Sequence, residues 1–84
     1  AVRDYVHVRD IAQAHVLALK HLMKGRPSDS FNLGTGNGIS VKQMLEAVKR
    51  VTHTELPIVW GERRAGDPAI LQADPTKAHM ILNW

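Results

Sequence analysis

"FNLGTGNGIS", residues 31–40, decides how this chain is read. A short apolar run leads into three glycines. Ser40 follows, and Gln43 three residues on completes the capping box that opens a helix. A glycine-bearing bend between strand and helix is where many α/β proteins cradle a phosphate, so the stretch is either a cofactor site or a turn. The dinucleotide fingerprint G-x-G-x-x-G needs its third glycine for close helix–strand packing. Gly34 and Gly36 fill the first two places, but the third falls on Ile39. A P-loop needs Gly-Lys-Ser/Thr at a set spacing, and none follows. The bend is therefore expected to be structural, its glycines supplying the positive φ that a reversal demands.

Upstream, "VRDYVHV" (2–8) alternates, with Val6 and Val8 on one face and Arg3, Tyr5 and His7 on the other, as in a half-buried strand. Asp10 and Gln13 then form a second capping-box pair. Ile11, Ala12, His15, Val16, Leu19, Leu22 and Met23 recur at helical spacing as the expected inward stripe, and Gly25 with Pro27 closes the helix. Phe31–Leu33 reads as a second strand. Downstream, Val41, Met44, Leu45, Val48 and Val51 make an apolar stripe, with Lys42, Glu46, Lys49 and Arg50 outside it. Pro57–Trp60 reads as a third strand, "GERRAGDP" (61–68) as a loop, and Asp74 as the cap of a last helix with Pro75 at its first position. The order implies an α/β fold in which short strands alternate with helices.

The chain has 84 residues, enough for at most one small domain, and no cysteine to cross-link it. No apolar run approaches the length of a membrane span, and nothing resembles a signal peptide. A soluble, cytoplasmic protein with no membrane partner is expected. The formal net charge of +3 is mild, and basic residues are scattered except for the pair Arg63–Arg64. The four aromatic residues do not alternate with basic ones, so a nucleic-acid stacking surface has no support. Five histidines show no i,i+4 pair and no neighbouring cysteine, which argues against zinc. His15 reads as a core histidine with one hydrogen bond, and His21, His53 and His79 as surface residues. Tyr5 is followed four residues on by Arg9, so the Tyr-x-x-x-Lys pair that activates a phenol is absent. The chain starts without methionine and stops within a helix-like stretch, from which a portion of a longer protein is expected.

Arg63 to Asp67, "RRAGD", carries the clearest chemical signal. Two arginines in a glycine-containing loop present planar, permanently charged forks that suit phosphate oxygens. Asp67 offers an acceptor for sugar hydroxyls, and Arg3, on the polar face of the first strand, is a second cation able to converge on the same anion.

In order along the chain, "RDYVHVRDIAQAHVLAL", "FNLGTGNGISV", "ERRAGDPAILQADPTKA" and "LNW" resemble the C-terminal portion of the UDP-glucose 4-epimerase family, extended short-chain dehydrogenases/reductases. The resemblance implies a small substrate-binding portion of an extended Rossmann-type enzyme, with NAD held by an N-terminal domain of the same protein. It implies an isomerase of galactose metabolism, a homodimer as the full-length enzyme. Hydride from C4 of the UDP-sugar would pass to NAD and return to the other face of a 4-keto intermediate. By the same resemblance Arg3 and Arg64 contact the diphosphate and Asp67 the uridine ribose, while the catalytic groups lie outside residues 1–84, leaving this stretch inactive alone. A tyrosine that contacts substrate in one bacterial branch is replaced here by Leu71. Two alternatives stay open: another nucleotide-sugar enzyme of the superfamily (dehydratase, decarboxylase or uronate epimerase), and a free-standing basic binding module.

Overall fold

The computed structural model, which describes residues 1–84, has the order β1 (Val2–Arg3), α1 (Val8–Met23), β2 (Ile39–Ser40), α2 (Val41–Thr52), β3 (Ile70–Leu71) and α3 (Thr76–Leu82). Strands and helices alternate as expected, but several boundaries differ. The strand read over 2–8 ends after Arg3, and α1 begins at Val8. His7 is the reason: its Nδ1 accepts the Arg9 N–H at 3.0 Å and takes the capping role assigned to Asp10. Asp10 sits inside the first turn instead, where its charge suits the positive end of the helix dipole. The capping box of α2 forms in full: Ser40 Oγ accepts the Gln43 N–H at 3.0 Å, and Gln43 Oε1 accepts the Ser40 N–H at 2.8 Å. At α3 the cap position is Pro75 rather than Asp74, yet Asp74 Oδ1 still accepts from the Thr76 N–H at 3.1 Å.

β1 is the central strand. It runs antiparallel to β2, with Val2 opposite Ser40 and Arg3 opposite Ile39, and parallel to β3, with Val2 opposite Ile70 and Arg3 opposite Leu71. Neither Phe31–Leu33 nor Pro57–Trp60, each read as a short strand, is one. Phe31 is held by its ring, with His21 edge-on at 6.1 Å and the Lys77 ammonium 5.1 Å from its centroid. Ile58, Val59 and Trp60 are exposed. The third strand comes instead from Ile70–Leu71, whose partner lies at the opposite end of the chain.

Small residues bring α1 and α3 together. Ala14 on α1 and Ala78 and Leu82 on α3 are the buried apolar side chains, and Trp84 Nε1 donates to the Asp10 carbonyl at 2.8 Å across the pair. The stripe expected to face inward therefore points the other way. Of its members Val16, Leu19, Leu22 and Met23 are 52%, 58%, 49% and 78% exposed, and Val8, now the first residue of the helix, is 73% exposed beside them. His15, expected in the core, is also exposed; its Nδ1 donates to the Ile11 carbonyl at 2.8 Å. His21 is half-buried rather than superficial. No helix is long and apolar enough to cross a membrane.

Candidate functional site

Arg3 stands in the central strand, and its Nη1 donates to the Val2 carbonyl at 2.8 Å and to the Pro68 carbonyl at 3.0 Å. The second bond joins the start of the chain to the loop that holds the other two chosen residues. That loop is folded on itself. Arg64 Nε donates to Asp67 Oδ2 at 2.8 Å, Arg63 Nη2 donates to the Asp67 carbonyl at 2.9 Å, and Gly66 turns the backbone with φ of 84°. Arg3, Glu62, Arg63, Arg64, Asp67 and Pro68 line one cleft of about 320 Å³.

The three residues singled out in the sequence thus meet in one place. Three guanidinium groups face two carboxylates there, and one of those carboxylates, Asp67, is already paired with Arg64. The pairing uses only Nε of Arg64, so both terminal nitrogens remain for phosphate oxygens, and Asp67 keeps its second oxygen for a hydroxyl. Leu71, on β3, lines an adjoining hollow together with Arg3 and Asp4 and gives it no polar group. A larger hollow of about 370 Å³ between α1 and α3 also carries cations, Lys20, Lys24 and Arg26. None of those side chains is held by a hydrogen bond, whereas backbone carbonyls fix Arg3 and Arg63. The pre-set arrangement belongs to the 320 Å³ cleft.

Sequence reasoning passed over Asp4. Its Oδ1 accepts the Thr35 hydroxyl at 2.6 Å and the Thr35 N–H at 2.9 Å, and its Oδ2 accepts the Gly36 N–H at 3.0 Å and the Ala73 N–H at 3.3 Å. The glycine loop does cradle an anion, and that anion is the protein's own carboxylate. Gly34 is required for this approach: a Cβ there would lie 2.6 Å from both Asp4 Oδ2 and the Ala73 Cβ. The bend is structural, as its failed motifs implied. The signal that might have found Asp4 is a carboxylate beside Arg3 and a loop with free amides in need of an acceptor.

These bonds hold the Asp4 carboxyl below its ordinary range, the Thr35 hydroxyl first and the Thr35 N–H next, against a smaller opposing effect of burial. A lowered native pKa means that the stabilisation is complete above the unfolded value and is lost as pH falls through the native one. The melting-temperature difference between the wild type and Asp4→Asn should therefore be constant above about pH 5 and shrink below about pH 4. A difference that stays constant down to acid pH would show that the charge of Asp4 is not what the loop holds.

The chain aligns with the NAD dependent epimerase/dehydratase family over residues 1–34. Within that class it is similar over its whole length to the C-terminal portion of UDP-glucose 4-epimerase. The UDP-glucose 4-epimerase of Lactobacillus helveticus is 54% identical over 83 residues, covering 99% of this chain and 25% of that protein. The crystal structure of the Stenotrophomonas maltophila enzyme with bound NAD and formylated UDP-arabinopyranose is 45% identical, with a TM-score of 0.94 over all of this chain and 25% of that one. The Brucella ovis enzyme in complex with NAD is 43% identical, with a TM-score of 0.91 over all of this chain and 26% of its own. This chain thus spans about a quarter of the length of the curated relatives it matches.

Proposed function

We propose that residues 1–84 are the C-terminal UDP-sugar-binding portion of an NAD-dependent UDP-glucose 4-epimerase of cytoplasmic galactose metabolism. The observation that carries this reading is the convergence of Arg3, Arg64 and Asp67 on one cleft from distant parts of the sequence. On this reading Arg3 and Arg64 clamp the diphosphate with charge-assisted hydrogen bonds, and Asp67 accepts from the uridine ribose. Such a clamp binds and orients; it does no bond-making itself. The residues here do not suit NAD. The amides of Thr35 and Gly36, where a pyrophosphate would bind in a nucleotide loop, are taken by Asp4. On this reading NAD and the catalytic groups belong to an upstream domain, and this portion alone is inactive. The exposed stripe of α1 supports that division, since an apolar face of this size is ordinarily covered.

The runner-up is a different nucleotide-sugar reaction on the same cleft, favoured by Leu71, which leaves the neighbouring hollow without one polar contact. The intact protein, purified with its NAD, should convert UDP-glucose to UDP-galactose with no net accumulation of NADH, followed by chromatography of the sugar nucleotides. A product other than the C4 epimer, or turnover only of another nucleotide sugar, would transfer the assignment to the runner-up. No binding of any nucleotide sugar would end both readings.

A further inference from the structure

β1 is two residues long, so little ladder holds Arg3 in register. The flanking bonds are Val2 N–H to the Ala69 carbonyl at 2.8 Å and Val41 N–H to the Ala1 carbonyl at 2.9 Å, both behind Arg3. Ahead of Arg3 the backbone pairing stops, and the side chain of Asp4 takes over. Its two oxygens reach both neighbours of the central strand at once: Thr35 and Gly36 on the approach to β2, and Ala73 just past β3. Asp4 itself is not among the residues of the 320 Å³ cleft.

We propose that Asp4 is a positioning residue for that cleft, clamping the end of β1 between its two neighbours so that the Arg3 guanidinium stays against the Pro68 carbonyl, where the diphosphate binds. The proposal rests on the UDP-sugar reading above. A short strand whose end frays would let Arg3 sample many rotamers, and each ligand bond would then carry the cost of ordering it. The donors around Asp4 serve a second purpose. They compensate its negative charge within the loop, so a carboxylate next in sequence to Arg3 does not repel the anion that Arg3 is held to meet.

The test is a double-mutant cycle in the intact protein, with UDP binding measured by titration calorimetry for the wild type, Asp4→Asn, Arg3→Ala and the double variant. Asp4→Asn should weaken UDP binding about fivefold or more in the wild-type background and by less than about twofold once Arg3 is alanine. A merely structural role would give the same factor in both backgrounds, and that result would overturn the proposal. So would an unchanged dissociation constant in Asp4→Asn when Arg3→Ala weakens binding. If Arg3→Ala itself leaves UDP binding unchanged, the UDP-sugar reading fails and this proposal with it. Should Asp4→Asn not fold, Thr35→Val removes the hydroxyl donor to Asp4 and keeps the N–H. The same loss of effect in the Arg3→Ala background is expected, and equal factors in both backgrounds count against the clamp.

Discussion

In the intact protein, Arg64→Ala should weaken UDP binding by roughly one to two orders of magnitude while uridine binding changes by less than about twofold. The asymmetry follows from where the arginine's free nitrogens lie. One nitrogen, Nε, is paired with Asp67 at 2.8 Å, and the terminal pair remains for phosphate oxygens, which uridine lacks. A hydrogen bond to a charged group contributes about 1.5–3 kcal/mol, and each 1.4 kcal/mol is tenfold in affinity. Removing Arg64 also leaves Asp67 unpaired in the cleft, so repulsion between that carboxylate and the diphosphate adds to the measured loss. Asp67→Asn should show a different signature. It should weaken uridine and UDP by similar factors, because on the proposed reading its target is the ribose that both ligands share. Calorimetric titrations with UDP, and with uridine by competition, separate the two. Equal losses of uridine and UDP in Arg64→Ala would remove the arginine from the diphosphate, and an unchanged UDP affinity would remove it from the site.

Local chemistry was legible in the sequence, and long-range partnership was not. The Ser40–Gln43 capping box is a contract between residues three apart, so it could be read directly and formed as read. The glycine loop failed both phosphate motifs and proved to be a bend. Arg3, Arg64 and Asp67 were legible as residue types and by family resemblance, and the structure brings them to one cleft. The start of α1 was missed because an imidazole Nδ1 can cap a helix as well as a carboxylate, and nothing nearby in sequence shows which does. β3 was missed because two residues carry no periodicity, and Ile70–Leu71 becomes a strand only by pairing with Val2–Arg3. Periodicity found the apolar stripe of α1 correctly. It assigned the wrong neighbour, since Ala14, one face over, is the α1 side chain buried with Ala78 and Leu82 of α3.

That outward stripe sets up the second large effect: Leu19→Asp should destabilise the intact protein by about 3 kcal/mol or more. The accessible surface here is 6936 Å², whereas a folded monomer of 9.3 kDa should expose about 5,000 Å². The radius of gyration is 16.6 Å against about 12 Å for a compact chain of this length, and the extents are 50 × 32 × 15 Å. With Ala14, Ala78 and Leu82 as its buried apolar side chains, this flat piece has a thin core to set against the entropy of ordering its residues. The relatives are about four times as long, and we propose that the upstream NAD-binding portion is what seats on Val8, Val16, Leu19 and Met23. An aspartate at position 19 would then be an unpaired charge in a closed interface, with a fall in melting temperature to match. Gln13→Asp, on the polar flank of the same helix, should stay within about 0.5 kcal/mol. Two results would overturn this assignment. If Leu19→Asp is as harmless as Gln13→Asp, the stripe is solvated and the upstream portion docks elsewhere. If it splits a dimer into monomers of unchanged melting temperature, the stripe belongs to a second copy of the protein.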